Sequence, residues 1–318
     1  MCDVSVVIPT YNRQTYLERA IASCFEGNDG IQVEVVVVDD GSTDGTRAYL
    51  RDQSDERIRP VFQDHRGAQA ARNRGINEST GNAIKFLDDD DWLYPGALQK
   101  QYGKMVNDGA DVVYGDLHRV AGDDEVIGTV EMAEADDMLE GICRGQINTA
   151  THPFLYRARL AGEQRWREDF SHHGDDTAYA FGIAAEDPEI GYVQGPVAAW
   201  YIHDGDRITD GKLEASPSAR MQRGFDIIEA AYEKRCSQKD TDGSLDRAVA
   251  NALWHQVWKM APFDFARFRR NYHRIRDHFP GFDPPRTRRI ERVLDQLGGA
   301  VFTEAIAYVP RRVRAYMR

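Results

Sequence analysis

Short apolar runs alternate along the first hundred residues with segments whose apolar positions recur at helical spacing. The runs are rich in β-branched residues, which is typical of buried strands, and occupy residues 4–8, 33–38, 58–62 and 83–87. Helical spacing predicts helices over residues 15–25 and 68–76, and one through Leu50 that residues 42–44 (Ser-Thr-Asp) would cap. Strands that alternate with helices in this way predict an α/β fold with a mostly parallel sheet.

Acidic residues follow two of these predicted strands. Asp39 and Asp40 end the second strand, and four consecutive aspartates, residues 88–91, end the fourth. Ligands of an open α/β sheet bind beyond the carboxyl ends of its strands, so these acids would line a crevice. Adjacent carboxylates repel one another unless water or a cation such as Mg²⁺ or Mn²⁺ compensates them. The run is therefore interpreted as a divalent-cation site or as a solvated acidic turn. Trp92 excludes an EF-hand, because it stands where an oxygen ligand is needed.

The turn after the first predicted strand contains no glycine. It reads Pro-Thr-Tyr-Asn-Arg at residues 9–13, whereas a dinucleotide-binding turn needs glycines that let the backbone approach a pyrophosphate. The lysine motif of a P-loop does not occur in the sequence either. These two classes are excluded, while acids at two strand ends still favour a nucleotide bound through a carboxylate-held metal.

Four motifs in a fixed order give a more specific resemblance. They are VSVVIPTYN at residues 4–12, VVVDDGSTDGT at 36–46, ARNRG at 71–75 and FLDDDD at 86–91. Together they resemble the family 2 glycosyltransferases, which have the GT-A fold and use nucleotide-sugar donors. The close resemblance covers residues 4–116, and a looser one extends to residue 209. It implies a GT-A domain over residues 1–212, with a nucleotide-sugar-binding half (1–116) and an acceptor half (117–212), followed by a helical region over 213–318.

The resemblance also implies which residues contact the nucleotide. Tyr11 would offer a stacking face to the base, and Asp39 would accept a hydrogen bond from the N3–H of uracil. Arg72 would lie near the nucleotide, with a structural salt bridge as the alternative. The full set implied in this way is Pro9, Thr10, Tyr11, Asn12, Asp39, Asp40, Arg72, Asp88 and Asp89.

The Asp-x-Asp (DXD) motif of the family falls on Asp88 and Asp90. Asp88 would serve the ribose or a metal-bound water, and Asp90 would bind the Mg²⁺ or Mn²⁺ ion that bridges both phosphates. His203 resembles a late histidine of the family that completes the metal site; an ordinary surface histidine is the alternative. Asp89 fills a position that the family often gives to a small residue. The implied metal ligands are therefore Asp88, Asp90 and His203.

Sugar transfer also needs a base that removes the proton from the acceptor hydroxyl. The segment GDDTAY at residues 174–179 resembles the Glu-Asp motif of the family. That correspondence makes Asp176 the catalytic base, with Asp175 as the second choice. An acidic pair that only stabilises a helix N-terminus is the alternative. The arginine that the family often carries a few residues later is missing, because Ile183 and Ala184 stand there.

The resemblance thus implies a metal-dependent, inverting transfer from a nucleotide-sugar, UDP-linked by preference, to a hydroxyl of a glycan or a polyprenyl-phosphate-linked saccharide. A phosphatase with an aspartate nucleophile would leave residues 9–12 and 39–42 unexplained. The main alternative is a catalytically silent nucleotide-sugar-binding or scaffolding protein of the same fold. Loss of a key acid would mark such a protein, and all of the implied acids are present.

Charge and apolar content bear on partners and location. The net charge of −12 argues against binding nucleic acid, yet residues 261–318 contain 13 arginines and six acidic residues. Arginines that alternate there with aromatic residues indicate either an interfacial helix attracted to anionic lipids or a basic face packed on the acidic domain. A spanning helix, a secretory signal and a cysteine framework are not apparent. The sequence predicts a cytoplasmic protein, with peripheral contact at the cytoplasmic face of a membrane as an option.

Overall fold

The chain forms two compact units, Met1–Thr209 and Asp210–Arg318. The structure is a computed structural model that describes residues 2–170, 174–203, 216–260 and 263–284. The predicted domain boundary between residues 212 and 213 lies outside these described residues.

Four parallel strands form the first part of the sheet in the N-terminal unit. They pair in the order β3-β2-β1-β4, so the chain starts in the middle and builds outward on both sides. The strands are β1 (Val4–Thr10), β2 (Val33–Asp40), β3 (Ile58–Gln63) and β4 (Ala83–Phe86). All four predicted strands are confirmed, and their carboxyl ends lie along one edge of the sheet.

Helices cover both faces of these strands, which explains why β1 and β2 are apolar throughout rather than alternating. Val35 and Val37 of β2 belong to the same buried cluster as Leu17, whereas Val36 and Val38 pack with Ala71. The helices in this part of the chain are α1 (Gln14–Ser23), α2 (Thr46–Arg51) and α3 (Ala68–Glu78).

The start of α2 differs from the prediction. Its N-cap is Gly45, without a side-chain cap, and only Asp44 of the predicted capping residues accepts a nearby hydrogen bond, from Thr46 N at 2.9 Å. Ser42 Oγ instead accepts from Asn12 N at 2.9 Å. Its hydroxyl thus joins the loops after β1 and β2, and this contact between two loops cannot be read from local capping patterns.

The second part of the same sheet is mixed. After β4 the order continues β8-β6-β9-β5, with β7 paired to β6; β8 is antiparallel to both of its neighbours, whereas β6 and β9 are parallel. The strands are β5 (Trp92–Leu93), β6 (Val112–Ala121), β7 (Glu125–Val130), β8 (Leu155–Arg157) and β9 (Ile190–Ile202). The helices are α4 (Ala97–Asp108), α5 (Met138–Arg144), α6 (Ala158–Glu163) and α7 (Asp175–Ala184). The fold is thus the predicted α/β architecture, a mostly parallel sheet flanked by helices.

The described part of the C-terminal unit is helical, as predicted. It consists of α8 (Pro217–Gln238), α9 (Gly243–Met260) and α10 (Phe265–His278). The apolar face of α10 packs on α9, where the rings of Phe268 and Tyr272 lie 6.3 and 5.7 Å from that of Trp254. Arg269, Arg270 and Arg276 on the opposite side are exposed. Within the described ranges, no helix is both long enough and apolar enough to cross a membrane.

Candidate functional site

The loops after β1 and β2 are fastened to each other by Asn12. Its backbone has a φ of 55°, a left-handed conformation that asparagine tolerates better than most residues. Asn12 Oδ1 accepts from Thr43 N at 2.7 Å and from Asp44 N at 3.3 Å. Beside it, Tyr11 is 41% exposed and stacks on His65 at a ring distance of 4.2 Å. Both residues are exposed; Asn12 holds the two loops together, and Tyr11 offers an exposed ring.

Asp39 and Asp40 are buried and bonded to the protein. Asp39 accepts from Ser42 N at 3.1 Å and from Arg47 Nε at 2.8 Å. Asp40 holds the loop after β3: Oδ1 accepts from Gln63 Nε2 (2.7 Å) and Arg66 N (2.9 Å), and Oδ2 accepts from Gly67 N (2.8 Å). His65 Nδ1 lies 2.9 Å from Asp40 Oδ2. The charge of each carboxylate is thus compensated by the chain.

Arg72 connects two parts of the site that are far apart in sequence. It lies on α3, which approaches β1 closely because Gly75 has no Cβ; a Cβ there would collide with Val7. Its guanidinium donates to Asp88 Oδ1 at 2.6 Å and to Asp175 Oδ2 at 3.3 Å, and it lies 4.5 Å from the ring of Trp166. The salt bridge proposed as the alternative for Arg72 therefore exists, and its partners are candidate site residues.

The four aspartates after β4 have different environments. Asp89 accepts from Thr10 Oγ1 at 2.7 Å, and Asp91 accepts from Tyr201 N at 2.8 Å. Burial and the charge of Asp90 raise the pKa of Asp89 to about 8. Burial and the neighbouring charges also raise the pKa of Asp91 well above its ordinary value. The chain therefore compensates the negative charge of this run only in part.

Asp88 contacts Arg72, and Asp90 contacts Arg13, which also lies 3.7 Å from Asp89. Burial alone would raise the pKa of Asp88, but the charge of Arg72 holds it below its ordinary value. Asp90 forms an ion pair with Arg13, the residue that follows the β1 loop. His203 Nε2 lies 3.1 Å from Asp90 Oδ2, and the imidazole stacks on Tyr16 at a ring distance of 4.8 Å. His203 therefore reaches the run, as the metal-site prediction requires.

Asp176 lies at the first turn of α7 and contacts the segment before β8. Thr151 Oγ1 donates to Asp176 Oδ1 at 2.6 Å, and Thr149 and Thr177 are bonded at 3.1 Å. Asp175 accepts from Gln69 Nε2 at 2.9 Å in addition to Arg72. Burial and the charge of Asp175 raise the pKa of Asp176 to about 7. Such a carboxyl group exchanges a proton near neutral pH, which suits a general base.

His152 also belongs to this site, although the sequence patterns did not single it out. It is buried, with Nε2 3.2 Å from Asp91 Oδ2 and Nδ1 4.0 Å from Asp88 Oδ2. Asp88, Asp91 and His152 offer ligand atoms that all lie within 4.8 Å of one another. The structure thus brings together an acidic and imidazole cluster with the chemistry of a metal site.

The family model for glycosyl transferase family 2 matches residues 5–184. The chain belongs to this family. The resemblance drawn from the four motifs is confirmed, and the glycosyltransferase class with it. The family 2 match contains the strand ends, the run at residues 88–91 and Asp176, whereas His203 lies beyond it.

Two curated relatives are similar to part of this family 2 chain. The GalNAc(5)-diNAcBac-PP-undecaprenol beta-1,3-glucosyltransferase of Campylobacter jejuni is 36% identical over 119 residues, which are 36% of this chain and 38% of that protein. Glycosyltransferase GlyA of Streptococcus pneumoniae is 35% identical over 117 residues, 36% of this chain and 17% of that protein. The chain thus spans well under half the length of these relatives.

Solved structures of S. aureus TarS 1-349 have the same fold. The complex with UDP-GlcNAc superposes with a TM-score of 0.64 at 15% identity, covering 95% of this chain and 89% of that one. The complex with UDP gives a TM-score of 0.60 at 15% identity and covers 87% of each chain. The predicted GT-A fold is therefore confirmed.

Several contacts of the family 2 site were absent from the sequence predictions. Arg13 follows the recognised motif directly, and Asp91 was part of the noted run, but neither was given a role. His65 and His152 stand in segments without a recognisable pattern. His152 reaches the site from the segment before β8 and His65 through its contact with Asp40, so local sequence could not reveal them.

Proposed function

We propose that the chain transfers a sugar, with inversion and with the help of Mg²⁺ or Mn²⁺, from a UDP-linked donor to a hydroxyl group. The acceptor would be a glycan or a polyprenyl-phosphate-linked saccharide. The observation that carries this proposal is the double contact of Arg72 with Asp88 and Asp175. It joins the carboxylates after β4, which are candidates for binding the sugar donor, to Asp175 and Asp176 on α7, the two candidates for the catalytic base.

Asp176 is the proposed base. Its carboxyl group is held by Thr151, and burial with the charge of Asp175 raises its pKa to about 7. At neutral pH a substantial fraction is ionised and able to accept the proton of an acceptor hydroxyl, while the raised pKa gives the carboxylate useful basicity. Asp175, which is bonded to Arg72 and Gln69, would orient the pair that it forms with Asp176.

Tyr11 and Asp39 are the proposed contacts of the nucleotide base. The Tyr11 ring is exposed and already stacked on His65, so it could extend that stack to a base. Asp39 would accept from a uracil N3–H, while Asn12 and Asp40 would shape the loops around it. Pro9 and Thr10 would set the position of this loop, and Arg72, Asp88 and Asp89 would lie toward the ribose and phosphates. The preference for UDP is supported by the TarS complexes with UDP and UDP-GlcNAc.

Asp88, Asp90 and His203 are the residues proposed to hold the divalent cation. The fit rests on the donor set: carboxylate and imidazole groups converge on a run whose negative charge the chain compensates only in part. When bound, the cation would neutralise charge that develops on the leaving diphosphate. Arg13, in the loop after β1, contacts Asp89 and Asp90, and its positive charge would offset part of the negative charge of the run.

A lipid-linked acceptor is supported by the name of the C. jejuni relative, which acts on an undecaprenol-PP-linked saccharide. Contact with a membrane would then be peripheral, at its cytoplasmic face. Arg269, Arg270 and Arg276 on the exposed side of α10 could attract anionic headgroups. Because the apolar face of α10 is already packed on α9, that contact would be electrostatic rather than an insertion.

A transfer assay tests this function. Release of the corresponding nucleoside diphosphate would be measured from a panel of UDP-, GDP- and dTDP-sugars with Mn²⁺, with Mg²⁺ and with EDTA. We expect metal-dependent UDP release from at least one UDP-sugar, and its loss in Asp176→Asn. Asp108→Asn is the matched control, since Asp108 pairs with Lys104 on the surface of α4. Release that persists in EDTA, or from GDP-sugars alone, would contradict the metal dependence or the choice of donor.

A further inference from the structure

The imidazole of His152 lies between two carboxylates but is close enough to bond only one. Nε2 is 3.2 Å from Asp91 Oδ2, whereas Nδ1 is 4.0 Å from Asp88 Oδ2, which is too long for a hydrogen bond. The side chain is only 6% exposed, and Nδ1 has no hydrogen-bond partner among the residues that the structure describes. Buried polar atoms of this kind are rare because they cost free energy, so His152 Nδ1 points to a ligand.

The contact with Asp91 determines what Nδ1 can bind. An ionised carboxylate only accepts, so Nε2 donates to Asp91 and Nδ1 of the neutral ring carries a lone pair. Two acceptors, Nδ1 and Asp88 Oδ2, then face each other across 4.0 Å. A proton does not bridge that distance. A cation about 2.1 Å from each atom does, because two ligands of one cation lie roughly 3.0–4.2 Å apart.

The competing arrangement has a proton on Asp91 that is donated to Nε2. Nδ1–H then faces Asp88 at the same 4.0 Å and is again without a hydrogen bond. Both arrangements leave the atom unsatisfied, but only the first offers a lone pair. Binding of a cation at Nδ1 would select it.

We propose that His152 Nδ1 and Asp88 Oδ2 bind a divalent transition-metal cation, and that Asp91 orients the imidazole through Nε2. A metal-ligating histidine whose second nitrogen donates to a carboxylate is a common arrangement, because the carboxylate fixes the tautomer and strengthens the ligand. The inference deepens the proposed function and rests on it for its role in donor binding. It adds His152 Nδ1 as a second nitrogen ligand to the set Asp88, Asp90 and His203.

The position of His152 is fixed from both sides in sequence. Thr151 Oγ1 is bonded to Asp176, and Pro153 O accepts from Gln101 Nε2 at 2.7 Å. The ring is therefore preorganised. Thr151 precedes His152 and is bonded to Asp176, so it connects the proposed cation ligand to the proposed base. An imidazole ligand favours transition metals over Mg²⁺, so the site should prefer Mn²⁺ to Mg²⁺.

Electron paramagnetic resonance with Mn²⁺ alone tests this inference without relying on catalysis. The signal of free Mn²⁺ gives the Kd, and spin-echo modulation from ¹⁴N reports a nitrogen ligand. We expect ¹⁴N modulation from two nitrogen ligands in the wild type. Modulation from one nitrogen should remain in His203→Gln, owing to His152, and in His152→Gln, owing to His203, and the double variant should show none; His152→Gln should also raise the Kd about tenfold or more. His118→Gln is the matched control, since His118 is a half-buried histidine bonded to the Tyr94 hydroxyl at 2.7 Å.

Three results would overturn the inference. They are ¹⁴N modulation in His152→Gln that is as deep as in the wild type, modulation that is lost in a folded His203→Gln, and no Mn²⁺ binding by the wild type. The His203→Gln result decides the matter even if His152→Gln does not fold. Failure of the proposed function looks different: the protein would bind Mn²⁺ through His152 yet release UDP from no nucleotide-sugar.

Discussion

The carboxylates at the end of β2 and those after β4 occupy the same edge of one sheet, yet their charges are compensated differently. Asp40 accepts from two backbone N–H groups and a side-chain amide, and Asp39 from a backbone N–H and Arg47. Among the described residues, Arg13 and Arg72 are the arginines that contact the run at residues 88–91. The charge of the first cluster is compensated within the chain and the cluster stabilises loops, although the two bonds to Asp39 leave lone pairs for a nucleotide base. The second is undersaturated, which is what a cation-binding site requires.

The largest expected effect comes from removing the proposed base near the undersaturated cluster. Asp176→Asn keeps the size of the side chain but cannot accept the acceptor proton, so kcat should fall by about 10²–10⁴-fold. Nucleotide binding should be nearly unchanged, because the base acts on the acceptor. Initial rates with a UDP-sugar, together with the Kd of UDP, check this. A larger loss of kcat in Asp175→Asn than in Asp176→Asn would contradict this assignment and make Asp175 the base.

The pH dependence of transfer should follow the raised pKa of Asp176. The group must be ionised to act, and its pKa lies at about 7, so the active fraction falls about tenfold per pH unit below 7 and saturates above it. A profile of kcat/KM from pH 5.5 to 8.5 measures this. A profile that is flat over this range, as a carboxyl group with the ordinary pKa of about 4 would give, would exclude Asp176 as the base.

Stability should separate the two clusters directly. Asp40→Asn replaces an acceptor-only carboxylate with an amide whose NH2 group would face N–H donors, and it should lower the free energy of unfolding by about 2 kcal/mol. In metal-free protein, Asp90→Asn should cost less than about 1 kcal/mol, because its ion pair with Arg13 is offset by repulsion from neighbouring carboxylates. Urea unfolding midpoints compare the two. Equal losses would show that the clusters do not differ as described.

A smaller effect is expected at the β1 loop. Tyr11→Ala removes the exposed stacking face and should weaken UDP by roughly 1 kcal/mol, about fivefold in Kd, equally with and without metal. Tyr11→Phe is the control and should bind as the wild type does. A loss that appears only with metal would place Tyr11 at the phosphates instead.

Sequence predicted the sheet and its ligand-binding edge because β-branched runs and terminal acids are local features. Asp88, Asp90 and His203 were predicted through motifs, and the structure places His203 Nε2 3.1 Å from Asp90 Oδ2. The sequence could not show that Asp40 accepts hydrogen bonds from the loop after β3, since Asp40 and its partners Arg66 and Gly67 lie in different segments. His152 was missed for the same reason: its contacts with Asp88 and Asp91 depend on β8 pairing antiparallel to β4.

Calorimetric titration of UDP, with GDP and dTDP as comparators, tests the central claim most directly. The wild type should bind UDP in Mn²⁺ and weakly or not at all in EDTA, and Asp90→Ala should abolish the metal-dependent part. Asp40→Asn, measured below its unfolding temperature, should retain it. No binding of any of the three nucleotides in the presence of Mn²⁺ would contradict the account and leave the run at residues 88–91 as a solvated acidic turn.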